Sequence, residues 1–208
     1  MRSRLSQLAQ TGLPFVTCRV TSFEPFSAGP QRRPLSLTTE RLHLRPFRPD
    51  DLELFCQFFS NSGFTRFSGG NFNRERVFDF VAKVMRWDRE GLPSQFVVTV
   101  RETETPIGYC GFFHQTVDAR TEIEIGYRLH PDYWNHGFAT ESARAVRDCG
   151  FGHWNLPRLI SLIHPENTAS RRVAEKNGMT CERETTFKGL PAQVFAIDRE
   201  RWLNRGGG

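Results

Sequence analysis

The segment that most constrains this chain lies between residues 121 and 150. Thr121-Glu122-Ile123-Glu124-Ile125-Gly126-Tyr127-Arg128-Leu129 alternates polar and apolar residues with period two, the pattern of a strand buried on at least one face. A turn-rich run from His130 to Glu141 follows, and beyond it Ala139, Ala143, Val146 and Gly150 recur at helical spacing, leaving Thr140, Glu141, Arg144, Arg147 and Asp148 for the other side. The segment therefore reads as strand, tight turn, helix N-terminus. A helix start carries backbone N–H groups without intrahelical partners and the positive end of the helix dipole. Gly137 and Ala139 keep side chains away from the point where an anion approaches such a backbone, and a pyrophosphate fits there.

The flanking sequence supplies the rest of a mixed sheet. Residues 38–45 alternate as a first strand, and Pro46 and Pro49 end it before a helix with Leu52, Phe55, Cys56 and Phe59 on one face. Residues 61–73 read as a loop in which Phe64, Phe67 and Phe72 pack down, because large aromatics are buried for their area, with contact to a substrate as the alternative. Val77, Phe80, Val81 and Val84 mark a second helix, stopped near Gly91-Leu92-Pro93. Two strands, 95–101 with Phe96, Val98 and Val100 inward and 107–114, form a hairpin leading into the central strand. After the central helix come a short buried strand at 158–163, a helix at 167–176 ending on Asn177-Gly178, and strand-like runs at 179–186 and 193–198. The expected fold is α/β (α+β), in the order β-α-α-β-β-β-α-β-α-β-β.

The 208 residues suit one domain with an appendage. The net charge of +5 suggests nucleic acid until it is located: residues 1–34 hold five arginines against Glu24, so +4 falls there and +1 on the remainder. A nucleic-acid footprint belongs on the folded surface, which argues against that partner. The arm at 1–34 contains four prolines and no sustained period, and reads as disordered or loosely attached; as an Arg- and Ser-containing, acid-poor stretch it also has some character of a targeting segment. Residues 35–203 form the domain and 204–208 a flexible tail. No apolar run approaches the ~18 residues of a membrane span. The cysteines, Cys18, Cys56, Cys110, Cys149 and Cys181, are scattered and odd in number, which points to reduced thiols in a cytoplasmic protein. No two histidines share a metal-like spacing on one helix face, so no metal is expected.

Four collinear blocks carry a family resemblance: Thr39-Glu40-Arg41-Leu42-x-Leu44-Arg45-Pro46; Pro106-Ile107-Gly108-x-x-Gly111; Glu124-Ile125-Gly126-Tyr127-x-Leu129-x-Pro131-x-Tyr133-Trp134-x-x-Gly137-Phe138-Ala139-Thr140-Glu141; and Glu166-Asn167-x-Ala169-Ser170-x-x-Val173-Ala174-Glu175-Lys176-x-Gly178-Met179. Between Leu37 and Trp202 the chain resembles the GNAT superfamily of acyl-CoA-dependent N-acetyltransferases, and is most similar to the branch of ribosomal-protein N-terminal acetyltransferases. The resemblance implies a mixed, mostly antiparallel central sheet of about seven strands flanked by about four helices, with acetyl-CoA as cosubstrate. It implies that Tyr127, Arg128 and Leu129 pair through their backbone with the pantetheine arm. N–H groups of Asn135, His136, Gly137, Phe138, Ala139 and Thr140, with Trp134 beside them, would cradle the pyrophosphate, and Asn167 would hold the cosubstrate through its amide.

Two positions depart from the family pattern. Asn135 stands where glycine is usual in this branch, and asparagine is the best non-glycine tolerator of left-handed backbone angles. Ala174 stands where many members carry a tyrosine that protonates the departing thiolate; in this branch a serine is thought to substitute, which here is Ser170.

Acetyl transfer to an amine needs a neutral amine, stabilisation of an oxyanion and a proton for the thiolate. If Ile123, Ile125 and Tyr127 face the core helix, Glu122 and Glu124 face the cleft. Glu124 is the expected base, with a plain ion pair or solvated strand carboxylate as the alternative, and Ser170 the expected acid. The expected acceptor is a protein or peptide N-terminal α-amine. The competing readings are a small-molecule amine (antibiotic-like or polyamine), an acyl-CoA-binding module without turnover, and a nucleic-acid accessory protein using the arm. The oligomeric state is left as monomer or homodimer.

Overall fold

In the computed structural model, the structure describes residues 35–68, 72–204 and 206; the expectations for the arm at 1–34, for 69–71 of the loop and for Arg205, Gly207 and Gly208 of the tail lie outside these residues. The chain runs β1 (Leu37–Thr38), β2 (Leu42–Pro46), α1 (Asp51–Ser60), α2 (Ser62–Thr65), α3 (Arg74–Arg89), β3 (Gln95–Val100), β4 (Thr105–Val117) and β5 (Arg120–Leu129). A single 3-10 turn (Pro131–Tyr133) leads to α4 (Phe138–Gly152), β6 (Arg158–Ile163), α5 (Thr168–Lys176), β7 (Thr180–Phe187), β8 (Leu190–Asp198) and α6 (Arg199–Leu203). The strands form one eight-stranded sheet in the order β1-β2-β3-β4-β5-β6-β8-β7, antiparallel throughout except where β5 meets β6.

The mixed, mostly antiparallel sheet expected from the sequence is present, with one more strand and two more helices than counted. The strand expected at 38–45 is two strands. Thr39 N–H donates to Leu42 O at 2.9 Å and Leu42 N–H to Thr39 Oγ1 at 3.0 Å, a local turn that folds Leu37 back opposite Leu44. Within the expected loop, the Asn61 carboxamide oxygen accepts from the N–H groups of Gly63 and Phe64 and caps the one-turn α2. The short α6 follows Asp198, held by Trp202 donating to Asp148 Oδ1 at 2.7 Å. None of these elements is long enough for hydrophobic periodicity to register.

Both faces of the sheet are covered. On one, Phe96, Val98, Cys110, Phe112, Ile125 and Leu129 pack against Ala143, Val146 and Cys149 of α4. On the other, Val97 and Tyr109 pack against Phe55 and Phe59 of α1 and Val77, Val81 and Val84 of α3. β3 is thus buried on both faces, where its sequence suggested a single inward set. A Cβ on Gly150 would stand 3.0 Å from both Leu159 Cδ1 and Phe112 Cε1, so α4 lies close on the sheet. Of the loop aromatics, Phe64 is buried and Phe72 stacks on Phe59 at 4.4 Å, while Phe67 lies at a cleft and stacks on His164 at 5.5 Å.

Two features of this fold make a site. The only register between β5 and β6 is Glu124 opposite Ile160, so the C-terminal halves of the two parallel strands part. The N-terminus of α4 and one side of α5 line the opening.

Candidate active site

The opening is a cleft with about 670 Å³ of internal room, and every predicted site residue except His136 lines it. The parity of β5 explains how one strand serves it twice. His130 N–H donates to Ile107 O on the β4 side, so the backbone groups of Ile125, Tyr127 and Leu129 point the other way, toward β6. Ser161 Oγ donates to Ile125 O at 2.8 Å, and Trp134 Nε1 donates to Leu129 O at 2.8 Å. Between these two anchored carbonyls, the N–H and C=O of Tyr127 face the gap with no strand in register opposite. An extended chain of amides can add there as a strand would.

The turn after β5 has the backbone its residues allow. Asn135 and Gly137 sit in the left-handed region at φ 63° and 82°, and Gly137 caps α4 without any side-chain cap. The first intrahelical bond joins Glu141 N–H to Gly137 O, leaving the N–H groups of Phe138, Ala139 and Thr140 without helical partners. His136 turns aside: its ring stacks on Phe138 at 5.8 Å and its carbonyl accepts from Arg41 at 2.9 Å.

This turn is held from the far end of the chain. Glu141 accepts from Thr39 Oγ1 at 2.5 Å, from the Arg41 backbone N–H at 2.9 Å and from Arg41 Nε at 2.8 Å. Arg41 also lies over the Phe138 ring at 4.7 Å. Burial opposes the charge on Glu141, but these hydrogen bonds outweigh it and hold the carboxyl below the usual carboxylate range. The contribution to stability is therefore present above the unfolded pKa and lost as pH falls through the folded one. Arg41 is half exposed, so screening discounts the pair. Glu141→Gln is expected to lower the melting temperature by about 2–4 °C, the shift for roughly 1 kcal/mol in a domain of this size, and to weaken acetyl-CoA binding. An unchanged melt and affinity would show that the turn stands without this clamp.

Across the cleft, Asn167 caps α5, its Oδ1 accepting from Ser170 N–H at 3.1 Å, which leaves its amide nitrogen for other partners. Tyr127 donates its phenol to the Ser170 carbonyl at 3.3 Å, and burial pushes that phenol above its ordinary pKa. Ala174, one turn beyond Ser170, is buried in the core cluster against which Tyr127 packs.

Glu124 sits on the other face of β5. Burial raises its carboxyl above the ordinary glutamate value, against opposing hydrogen bonds from Gln115, at 2.7 Å, and from the Leu162 backbone. Glu122, one residue pair along, is an ion-pair partner of Arg158 at 3.4 Å and does not line the cleft. A carboxylate with raised proton affinity in a cleft can take a proton from an amine. Several cleft residues escaped the sequence reading: Arg66, His164, Arg172 on α5, and the side chain of Arg128. Each sits at a place set by tertiary contact, and no local motif marks it. Among the described residues, no group of three or more His, Cys, Asp and Glu is placed to hold a metal ion, and no helix is long and apolar enough to cross a membrane.

A splayed parallel strand pair that exposes one strand's amides, beside a helix start with free N–H groups, is a site with the shape and donors for an extended, amide-bearing chain that ends in an anion. Residues 41–180 match the family model described as the acetyltransferase (GNAT) domain, and the chain belongs to this family of acetyl-CoA-dependent N-acetyltransferases. It is similar to the uncharacterized N-acetyltransferase YnaD of Bacillus subtilis, 33% identical over 177 residues that cover 81% of this chain and 99% of that one. It is also similar to the solved GNAT-family acetyltransferase of Bacillus anthracis, with a TM-score of 0.67 and 31% identity, covering 80% of this chain and 99% of that one. At 16% identity, solved structures with the same fold include RimL, a ribosomal L7/L12 alpha-N-protein acetyltransferase, with a TM-score of 0.64 over 77% of this chain and 95% of that one. They also include the aminoglycoside acetyltransferase AAC(6')-Ib, with a TM-score of 0.67 over 78% of this chain and 98% of that one. Fold alone leaves the acceptor open.

Proposed function

We propose that the protein transfers the acetyl group of acetyl-CoA directly to a protein or peptide N-terminal α-amine in a ternary complex. The Tyr127 backbone, flanked by Arg128 and Leu129, pairs with the pantetheine amides. The N–H groups of the turn from Asn135 to Thr140 hold the pyrophosphate, with Trp134 alongside and the Asn167 amide opposite. The amine nitrogen attacks the thioester carbonyl and the C–S bond breaks. Glu124 takes the amine's proton, directly or through water, and Ser170 or a water it holds protonates the thiolate. The observation that carries this reading is that the buried Glu124 carboxyl and the open Tyr127 backbone enter one cleft from the same strand.

Two arguments support an α-amine. Deprotonating one of pKa ~8 at pH 7 costs about 1.4 kcal/mol, against about 4.6 for a lysine near 10.4, and a single carboxylate base meets the first demand more readily. The lining also carries Arg66, Arg128, Arg172 and Lys176 against only Glu124 and Glu166, so the protein itself offers few carboxylates to pair with the several charges of a polyamine or aminoglycoside. Acetyl-CoA-dependent thiol release, measured against a panel of peptides, polyamines and aminoglycosides, tests this; turnover confined to the polycations would refute it. Ser170→Ala is expected to lower turnover by about 10²-fold or more while leaving acetyl-CoA affinity within a few-fold. Near-parental turnover would remove Ser170 from the chemistry.

A further inference from the structure

The floor of the acceptor side is built from two antiparallel strands whose side chains alternate into the cleft. Tyr109 lies opposite Arg128, Gly111 opposite Gly126, and Phe113 opposite Glu124. Neither glycine carries a side chain: over Gly111 the β3 backbone closes in, a Cβ there standing 2.5 Å from Gln95 Cα and Ser94 O, and over Gly126 the Phe113 ring lies across the floor, a Cβ there meeting Phe113 Cδ2 at 2.7 Å. The result is an aromatic trough with a carboxylate at one end and a guanidinium at the other, their Cα atoms about 13 Å apart at about 3.3 Å per residue.

The guanidinium is unusually placed for a structural arginine. It rests over the rings of Phe59 and Phe72, 5.8 and 5.5 Å from their centroids. Among the described residues its Nη1 is enclosed with no hydrogen-bond partner. The other enclosed arginine nitrogen without a partner, Arg171 Nε, belongs to a residue that does not line the cleft. A buried guanidinium donor left unpaired is costly, and an oxyanion is the partner its planar fork fits best.

We propose that Arg128 is the acceptor's anchor, receiving a carboxylate carried on the acceptor's chain while Glu124 faces the amine, so that the substrate is an amino acid or peptide α-amine that bears a carboxylate. This rests on the acetyl-transfer reading above and narrows its acceptor. A carboxylate seated on Arg128 completes the donor set of the guanidinium and fixes the amine at the other end of the trough. A polycation finds no partner for its second charge there.

The test is steady-state kinetics on acceptors matched except for a carboxylate, with each rate referred to the neutral amine because a carboxylate beside the amine raises its pKa. One pair is Ala-Asp-Ala-amide against Ala-Asn-Ala-amide, and the other is alanine against alaninamide, so that the two arms separate a peptide from a free amino acid. The wild-type protein is expected to favour the carboxylate member of at least one pair by about tenfold or more in kcat/KM, the size of a charge-assisted hydrogen bond. In Arg128→Gln that preference collapses toward unity through KM, read as the ratio within each pair so that any change in acetyl-CoA binding cancels, and Arg128→Lys retains its direction at reduced size. Indifference of the wild-type protein in both pairs, or the full preference persisting in Arg128→Gln, overturns the assignment. Should Arg128→Gln fail to fold, the lysine variant decides, and an undiminished preference there overturns it too. If the wild-type protein binds acetyl-CoA but acetylates no member of either pair or of the wider peptide panel, the α-amine reading itself falls, and this inference with it.

Discussion

Glu124→Gln is expected to lower turnover by about 10²–10⁴-fold with a good acceptor, the range for loss of a positioned general base. The amide keeps the shape and the contact with Gln115 but cannot accept the amine's proton. In the parent, the acidic limb of the pH profile should lie above the ~4.3 of an ordinary glutamate, because burial favours the protonated carboxyl. Activity needs the ionised form, so turnover falls as pH drops through this raised value, and the variant's limb should be flat. Stability runs the opposite way. A carboxyl whose folded-state pKa is raised contributes stability that is fully present below the unfolded pKa and lost as pH rises through the folded one. At neutral pH the variant should therefore melt no lower than the parent, which separates lost chemistry from lost folding. If the variant keeps near-parental turnover across pH, Glu124 is a structural charge and acetyl transfer proceeds by positioning alone.

Gly137→Val is expected to weaken acetyl-CoA binding by at least about 10–30-fold while the sheet stays folded. The residue holds φ 82°, a left-handed angle that costs an L-residue roughly 1–2 kcal/mol, and more for a β-branched one. Around it the protein is open: a Cβ would meet only Arg41 Nη2, at 3.3 Å. The damage should therefore come from the backbone relaxing out of the turn and from side-chain atoms entering the space a phosphate needs. Titration calorimetry with acetyl-CoA, alongside a thermal melt, measures both. A folded Gly137→Val variant with parental affinity would remove the pyrophosphate from this turn. Gly137→Ala, with strain but little added bulk, should fall between the two.

Much of the site is local, and local features are legible. The period-two alternation of residues 121–129 told which side chains of β5 share a face, and Glu124 does line the cleft while Ile125 packs toward α4. Asparagine and glycine at 135 and 137 announced left-handed backbone, and both adopt it. The small residues after them, at the head of a run with helical spacing, announced a helix start with room for an anion. These are properties of a few consecutive residues, set by steric limits on φ and ψ and by the repeat of each element, so neighbours suffice to determine them.

What the tertiary structure decided lies between residues far apart in sequence. Thr39 and Arg41 grip Glu141 across about a hundred residues, which is why two distant blocks of the sequence belong to one turn. The parting of β5 from β6 depends on a single register, Glu124 opposite Ile160, and on Ser161 and Trp134 occupying the carbonyls on either side of Tyr127. The trough between Glu124 and Arg128 exists because β4 brings Phe113 and Tyr109 opposite them and α1 brings Phe59 beneath the guanidinium. Strand pairing and helix packing choose such neighbours through long-range burial and hydrogen bonding, and no window along the chain contains both partners. The sequence by itself therefore determined the strand, the turn and the helix start to which the proposed function assigns acetyl-CoA, whereas which charges share the cleft with them was decided only when the sheet closed around them.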